Sequence, residues 1–203
     1  MNTLQIFAKA PIAGKAKTRL IKTLGEQGAA YLHQKLVKYC LQKFGHIFSV
    51  QLWCYPDELH SFFTECKTKF NISLHQQHGY DLGERMANAL ASTVPHPTVL
   101  IGTDCPSLTV AILQEAFTAL QQYQVVLGPA EDGGYVLIGM QQQLPELFVD
   151  IPWGSSLVLE TTRSRLRDLQ LSWYELPIQW DVDRPDDLPR LENIVCPLWN
   201  EYK

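Results

Sequence analysis

The sequence lacks several features that would each point to a particular class of protein. It has no excess of basic charge, since 17 Lys and Arg residues stand against 21 Asp and Glu and the formal net charge is -4. Broad nucleic-acid binding requires a basic face, so we expect no nucleic acid as a partner. It also has no uninterrupted apolar run near the ~18 residues of a membrane-spanning helix, so we expect no membrane span.

Cysteine is scarce and scattered along the chain. The five cysteines, at positions 40, 54, 66, 105 and 196, form no C-x-x-C pair, and their number is odd. This pattern is typical of reduced thiols in a cytoplasmic protein and not of a disulfide framework or a zinc site. The first residues also lack the basic lead and the longer apolar stretch of a signal peptide. We therefore expect a cytoplasmic protein.

The sequence does have a regular alternation of strand and helix patterns. "TLQIFA", "FSVQLWCY" and "PTVLIGTD" are apolar runs typical of buried strands. Between them, "EQGAAYLHQKLVKYCLQKFG" repeats apolar residues every three or four positions, as a helix does. Such alternation predicts an α/β fold, a three-layer α/β/α sandwich with a mixed, mainly parallel sheet. A length of 203 residues fits a single domain over 1–203.

Polar clusters follow the predicted strands at four places. In sheets of this kind, ligands bind in the crevice beyond the carboxyl ends of the strands. The residues that come just after strands are therefore the candidates for function. They lie at 8–19, 102–106, 128–135 and 181–187.

The first cluster is the basic stretch "FAKAPIAGKAKTRL". A loop between a strand and a helix can hold phosphate oxygens with backbone N–H groups and basic side chains, here Lys9, Lys17 and Arg19. It is not a P-loop, because that motif needs G-x-x-x-x-G-K-[ST] and Ala16 stands where the hydroxyl residue belongs. The alternative is a solvated basic loop.

The second cluster, "GTDCP", places Asp104 at the carboxyl end of the strongest predicted strand. A carboxylate there is well placed to hold a divalent cation that bridges a diphosphate. The alternative is a turn residue or a helix N-cap, although Ser107 or Thr109 is the better cap for the next helix.

The third cluster is "GPAEDGGYVLIG". Glu131 and Asp132 could orient an acceptor, remove a proton or contact a metal. Asp-Gly before an apolar strand is also a hairpin-turn signal, and we expect a turn that presents Asp132.

The fourth cluster is "WDVDRPDDL". Asp181 and Asp183 would share one face of a strand, and two such carboxylates repel unless a cation or a basic group lies between them. Asp183 is the candidate metal ligand, whereas Asp186 and Asp187 fall in the first turn of a helix and are structural candidates.

A further basic candidate, Arg85, lies in "GYDLGERMANAL" at a predicted helix start. Its guanidinium could pair with a phosphate or with the edge of a base. The alternative is a surface ion pair with Glu84 or another nearby acid.

Taken in order, "FAKAPIAGKAKTRL", "GTDCPSLT", "GPAEDGGYVLIG", "PWGSSLVLETTRSRL" and "DVDRPDDL" resemble a bacterial family of small glycosyltransferase-like proteins. These are arsenosugar-biosynthesis-type glycosyltransferases, or nucleotide-diphospho-sugar transferases, and they are distantly similar to phospholactate and molybdenum-cofactor guanylyltransferases. The resemblance covers nearly the whole chain and implies the GT-A fold.

The resemblance also implies a site. A nucleotide would lie in the first-loop pocket, at Lys9 and at the basic end formed by Lys17, Thr18 and Arg19. A divalent cation, Mg²⁺ or Mn²⁺, would lie on Asp104. Asp183 resembles the second metal carboxylate of the nucleotidyltransferase relatives.

These observations favour a metal-dependent glycosyltransferase that uses a nucleotide sugar and a small-molecule acceptor. Asp104 would act through the cation, and Asp132 is the candidate base for the acceptor hydroxyl. The first alternative is nucleotidyl transfer from a nucleoside triphosphate to a phosphorylated small molecule, with Arg85 and Arg19 on separate phosphates. The second is a non-catalytic nucleotide-binding protein, which fold alone does not exclude.

Overall fold

The computed structural model describes residues 2–192, in which seven strands form one sheet. The strands are β1 (Thr3–Lys9), β2 (Ser49–Tyr55), β3 (Ser73–Gln76), β4 (Thr98–Gly102), β5 (Val125–Pro129), β6 (Tyr135–Met140) and β7 (Trp173–Glu175). Their order across the sheet is β3-β2-β1-β4-β6-β5-β7. Within these residues β6 alone runs antiparallel to its neighbours, so the sheet is mixed and mainly parallel.

Six helices in the same residues connect and cover the strands. They are α1 (Ile21–Phe44), α2 (Ser61–Phe70), α3 (Leu82–Ala91), α4 (Val110–Ala119), α5 (Val158–Asp168) and α6 (Leu188–Glu192). The helix predicted from residue 26 begins earlier, at Ile21, and Gly25 interrupts the helical geometry with a φ of 70°. None of these helices combines the length and the apolar character that crossing a membrane requires.

The side chains of the strands alternate between two apolar cores, one on each face of the sheet. In β4, Val99 and Ile101 pack against α1, α2 and α4, whereas Leu100 packs on the other side with residues of α3 and α5. This alternation follows from the period of two along a strand. The predicted three-layer α/β/α sandwich is therefore confirmed.

A third, smaller apolar cluster joins the start and the end of the described chain. Leu20 and α1 residues pack there against Val182, Leu188 and Leu191. This packing holds the segment that follows the first strand against the segment around residue 182. Basic and acidic clusters that are far apart in sequence are thus brought to the same side of the sheet.

The thiols of Cys40, Cys54, Cys66 and Cys105 are free and buried. Burial raises the pKa of the Cys105 thiol to about 11, which disfavours a nucleophilic thiolate. The fifth cysteine, Cys196, lies outside the described residues.

Candidate active site

The candidate site lies where parallel strands end and the segment 177–183 crosses them. Backbone hydrogen bonds hold this segment in place: the N–H of Gln179 donates to the carbonyl of Pro129, and that of Val182 to the carbonyl of Asp104, both at 2.8 Å. The carboxyl end of β4 and the acidic segment therefore meet. The basic cluster at 8–19 contacts both of them, because Lys17 pairs with Asp104 and donates to the carbonyl of Val182.

Asp104 forms an ion pair with Lys17, with 2.8 Å between Oδ2 and Nζ. The Lys17 side chain is 3% exposed, and its ammonium group also donates to the carbonyl of Val182. Burial alone would raise the pKa of Asp104, but Lys17 and His33 outweigh it and hold that pKa well below its usual range. Lys17, expected on a phosphate, lies against the carboxylate that was expected to hold a metal.

His33 of α1 is a site residue that the sequence pattern did not reveal. Its Nε2 lies 2.8 Å from the carbonyl oxygen of Lys9, and because a carbonyl only accepts, this nitrogen carries the proton. Its buried Nδ1 has no hydrogen-bond partner in residues 2–192 and lies 3.6 Å from Oδ1 of Asp104. His33 is buried in α1 beside Leu32 and Leu36. A titratable histidine at a buried position of the predicted helix was the feature of the sequence that could have marked it as a site residue.

Asp183 pairs with Arg19, and this pair is more exposed than that of Asp104 and Lys17. The carboxylate of Asp183, acting through its hydrogen bond and its charge, raises the pKa of Arg19. Asp187 has the structural role expected of it, because its Oδ2 accepts from the backbone N–H groups of Asp183 and Arg184 at 2.9 and 2.6 Å.

Asp181 differs from both of these aspartates because no cation contacts it. Within residues 2–192 its carboxylate accepts no hydrogen bond and forms no ion pair. Burial, and then the nearby charge of Asp132, raise its pKa to about 6; the charge of Lys17 opposes this only in part, and Asp104 and Asp183 add to the increase. The sequence placed Asp181 beside Asp183 but favoured Asp183, so the isolation of this carboxylate is a finding of the structure.

The turn between β5 and β6 presents Asp132, as expected. The backbone N–H of Gly134 donates to its Oδ1 at 2.9 Å, and Asp132 lines a cavity of about 270 Å³ with Arg19, Asp181 and Asp183. The neighbouring Glu131 instead forms two hydrogen bonds with Arg190, at 2.7 and 3.0 Å.

Gly133 shapes this turn. It has a φ of 88°, and a Cβ there would lie 2.2 Å from the carbonyl oxygen of Ser156. Glycine therefore lets the turn pack directly against the segment that leads into α5.

Lys9 and Thr18 line a separate cavity of about 310 Å³ at the first loop, together with Lys15. In the described part of the chain the ammonium groups of Lys9 and Lys15 form no ion pair. The loop thus has two kinds of basic residue: Lys17 and Arg19 are paired with aspartates, whereas Lys9 and Lys15 remain available to an anion.

Arg85 lies across the cleft, over the ring of Tyr55, with 4.2 Å from the guanidinium carbon to the ring centroid. Its Nε donates to the carbonyl of Gly79 at 3.0 Å. The expected alternative, an ion pair with Glu84, does not form, because Glu84 accepts from the backbone N–H of Tyr80. Arg85 and Tyr55 line a cavity of about 350 Å³ with Lys9, His33 and Asp104.

The structure therefore brings most of the predicted site residues to one sheet edge but distributes them over adjoining cavities. Asp104 lies on the Arg85 side, and Asp183 and Asp132 lie on the Arg19 side. Asp181 shares a cavity with each group.

Whether a divalent cation fits this site depends on how many carboxylates lie together and on whether they are already paired with a basic side chain. No group of three or more His, Cys, Asp or Glu side chains in residues 2–192 is arranged to hold a metal ion. Magnesium, however, is commonly held by one or two carboxylates together with substrate phosphates and water. The carboxylate of Asp181, which no cation contacts, lies near Asp104 and Asp183. It fits that mode of binding because a bound cation would offset the repulsion between these carboxylates.

The topology and the comparisons with solved structures define the class: the fold is that of the nucleotide-diphospho-sugar transferases. The chain is similar to a Desulfovibrio desulfuricans G20 protein provisionally described as a nucleotide-diphospho-sugar transferase. The identity is 29%, the match covers 99% of this chain and 97% of that one, and the TM-score is 0.85.

The family follows from the sequence itself. The chain belongs to the bacterial family described as "Uncharacterized protein conserved in bacteria (DUF2064)", whose model matches residues 40–155. No curated protein sequence matches the chain.

More distant structures share the fold. The inositol-1-phosphate CTP transferase from T. maritima has 12% identity and a TM-score of 0.64, over 98% of this chain and 96% of that one. Glucosyl-3-phosphoglycerate synthase from Mycobacterium tuberculosis, solved with Mn²⁺, UDP and glucosyl-3-phosphoglycerate, has 10% identity and a TM-score of 0.56, over 100% and 79%. Both nucleotidyl- and glycosyltransferases thus occur among the structures that resemble this one.

Proposed function

We propose that this protein transfers a glycosyl group from a nucleotide sugar to a small-molecule acceptor, with Mg²⁺ or Mn²⁺ as cofactor. The observation that carries the proposal is the convergence of the Lys17–Asp104 and Arg19–Asp183 pairs around the uncompensated carboxylate of Asp181. Arg19, which is more than half exposed, can offer its guanidinium to phosphate oxygens, and the neighbouring carboxylates can offer oxygens to a metal ion.

The residues have the following roles. Lys9, Thr18 and Arg19 bind the phosphates of the donor, and Lys17 orients Asp104. A divalent cation on Asp104 and Asp183, beside Asp181, would stabilise the charge of the departing nucleoside diphosphate.

Asp132 receives the proton of the acceptor hydroxyl. The acceptor oxygen forms a bond to the anomeric carbon, and the bond from that carbon to the diphosphate oxygen breaks. The electron pair of the broken bond leaves with the nucleoside diphosphate.

The first loop supports glycosyl over nucleotidyl transfer. The backbone N–H groups of Ile12, Lys15 and Ala16 already donate to carbonyls within the loop, at 2.8, 3.0 and 3.1 Å. These three groups are therefore not available to a phosphate, whereas a loop that cradles several phosphate groups needs most of its N–H groups free.

Nucleotidyl transfer is the second candidate, favoured by the cavity beside Lys9, Lys15 and Thr18. Two lysines without ion pairs could hold an additional phosphate there. In that case the second substrate would be a phosphorylated small molecule, and the released product would be pyrophosphate.

A thermal-shift screen of nucleoside triphosphates and nucleotide sugars, with and without Mn²⁺, tests the proposal. At a hundredfold excess over its dissociation constant a ligand stabilises the folded state by ~2.7 kcal/mol. For a chain of this size that corresponds to a rise in Tm of roughly 5–10 °C. We expect this rise with a sugar nucleotide and Mn²⁺ together.

The product then separates the candidates. Release of a nucleoside diphosphate supports glycosyl transfer, whereas release of pyrophosphate supports the second candidate. Metal-independent binding without turnover of any donor would indicate a binding protein.

The role of Asp132 has a matched control next to it. Because general base catalysis contributes ~10²–10⁴-fold, Asp132→Asn should lower kcat by that factor and leave donor binding nearly unchanged. Glu131→Gln changes the neighbouring carboxylate, which Arg190 already engages, and should retain turnover. Equal turnover in the two variants would remove Asp132 from this role.

A further inference from the structure

A cavity of about 290 Å³ adjoins the proposed metal carboxylates, on the face of the sheet that α3 covers. Its walls are mainly apolar, and two carboxylates lie at one end. The apolar walls come from Phe7, Leu82, Met86, Leu100 and Ile138, and the carboxylates are those of Asp104 and Asp181.

The polar side-chain groups that reach this cavity are few. Besides the two carboxylates, its lining residues include Cys105, whose Sγ lies 3.2 Å from the Oγ of Ser107, and Tyr135, whose hydroxyl is buried without a hydrogen-bond partner in residues 2–192. The lining contains no amide, basic or aliphatic hydroxyl side chain among residues 2–192. A buried sugar ring carries more hydroxyl groups than these few side chains can pair, and each hydroxyl left unpaired disfavours binding.

The floor of the cavity is open at Gly102, the last residue of β4. A Cβ added there would meet no atom within 4 Å. Gly102 also lines the neighbouring cavity of Arg85 and Tyr55, as do Phe7, Leu82 and Asp104. The two cavities therefore form one cleft, and the absence of a side chain at Gly102 keeps the passage between them open.

An apolar side chain beside this cleft is partly exposed to water. Leu82, the first residue of α3, is 45% exposed although it lines both cavities. A bound apolar group would remove Leu82 and Phe7 from water, and burial of apolar surface is favourable. The volume is roughly twice that of the ~150 Å³ cavity that holds a benzene molecule.

From this geometry we infer that the cavity takes the apolar body of the second substrate, an alcohol with an aromatic or branched alkyl group. Its hydroxyl points to Asp181, the carboxylate that this cavity shares with the cavity of Asp132, the proposed base. The inference rests on the proposed function in one respect: it places the acceptor of that reaction. The acceptor is then not a free sugar or another polyol.

Direct binding tests this inference without any donor. Benzyl alcohol is the apolar probe and glucose the polyol control, each titrated into the whole protein and followed by NMR chemical shifts. Gly102→Val fills the cavity from its floor, and Leu82→Ser makes a wall polar at an exposed position. We expect benzyl alcohol to bind the unmodified protein, glucose not to bind, and each variant to weaken benzyl alcohol at least tenfold.

Three results would each overturn the inference: no binding of benzyl alcohol, glucose binding at least as tightly, or unchanged affinity for benzyl alcohol in both variants. Thermal melts verify the fold, and because Leu82 is exposed, Leu82→Ser keeps the test decisive if Gly102→Val does not fold. If benzyl alcohol binds as expected but no sugar nucleotide does, the cavity assignment stands and the glycosyltransferase proposal fails. If a sugar nucleotide binds and glucose occupies the cavity, the glycosyltransferase proposal stands and the cavity assignment fails.

Discussion

Asp104 and Asp181 line the same cavity and yet have opposite electrostatic environments. Burial would raise the pKa of both carboxylates, but Lys17 and His33 reverse this effect at Asp104 and hold its pKa well below the usual range. At Asp181 burial and the charge of Asp132 act together and raise the pKa to about 6. One carboxylate has a built-in cation, and the other has none in contact with it.

The difference separates a carboxylate that the fold already pairs with a cation from one that it leaves unpaired. The pair of Asp104 and Lys17 is satisfied within the fold and stabilises the junction of the first loop with the segment around Val182. Because its pKa is raised, we expect the charge of Asp181 to destabilise the ligand-free protein. Strongly perturbed carboxylates in a cleft are typical of functional sites, where a ligand supplies the missing charge. We therefore expect substitutions at the two positions to change stability in opposite directions.

The largest effect is expected for Asp104→Asn. This change leaves the ammonium group of Lys17, on a side chain that is 3% exposed, without its counter-charge. Breaking a buried ion pair from one side costs ~3–5 kcal/mol, and we expect about 3 because Val182 and solvent on the Asp104 side still compensate Lys17. At ~2–4 °C per kcal/mol, Tm should fall by roughly 6–12 °C in a thermal melt.

Asp183→Asn is the control for that loss. It breaks the more exposed pair with Arg19, and such pairs contribute ~0–1 kcal/mol. If Asp183→Asn destabilises the protein as much as Asp104→Asn does, the distinction between a buried and an exposed pair is wrong.

A smaller loss is expected for His33→Leu. The substitution removes the donor to the carbonyl of Lys9, and because this hydrogen bond is only partly buried we expect a cost of ~1 kcal/mol, the lower end of the range for an unsatisfied group. It also removes a group that lowers the pKa of Asp104. The stability that Asp104 contributes is present above its unfolded pKa and lost as pH falls through its folded pKa. Because that folded pKa rises in the variant, the loss of stability relative to the unmodified protein should be largest above the unfolded pKa and should shrink as the pH falls.

Urea unfolding at a series of pH values measures this shift. His33→Gln keeps an N–H donor and should recover part of the stability near neutral pH. If the free energy of unfolding of His33→Leu is lower by the same amount at every pH, His33 contributes packing and a hydrogen bond but does not lower the pKa of Asp104.

The sequence predicted the parts of this site that depend on the order of elements. "PTVLIGTD" reads as an apolar strand followed by a polar end, and the carboxyl ends of parallel strands share one edge, so Asp104 and the basic loop were placed correctly at that edge. The turn at Asp132 followed from its Asp-Gly-Gly sequence. Each of these predictions needed only local pattern and topology.

The sequence did not predict which charges pair. A basic loop is expected to be exposed, yet Lys17 is buried because the segment around Val182 packs over it. His33 reaches Asp104 only because α1 lies against the end of β1, and Asp181 is isolated because the available cations lie nearer to Asp104 and Asp183. These contacts join residues more than 70 positions apart, and no local pattern contains them.

Asp181→Asn should stabilise the ligand-free protein. With a folded pKa of about 6 and an ordinary value of 3.8, the native state binds the proton more tightly than the unfolded state. Stability is therefore lost as pH rises from about 4 through about 6, and the loss remains at higher pH. Solvent screens part of this effect because Asp181 is partly exposed. We therefore expect the free energy of unfolding of Asp181→Asn to exceed that of the unmodified protein by about 1 kcal/mol at pH 7.

The gain should depend on pH in a defined way. Urea unfolding of Asp181→Asn and of the unmodified protein should give equal stabilities near pH 4 and diverge as the pH rises. A variant that is less stable at pH 7, or whose gain is the same at pH 4, would show that Asp181 is compensated in the folded state.

The smallest effect concerns a divalent cation without nucleotide. At a Mn²⁺ concentration equal to its dissociation constant, binding stabilises the folded state by ~0.4 kcal/mol, a rise in Tm of roughly 1–2 °C. Asp181→Asn removes the uncompensated charge that attracts the cation, so this rise should disappear. In Glu131→Gln it should persist, because Glu131 is already engaged by Arg190. A Mn²⁺ shift that survives Asp181→Asn would assign the cation to Asp104 or Asp183 alone, and the contrast between Asp104 and Asp181 would then describe stability without bearing on the metal.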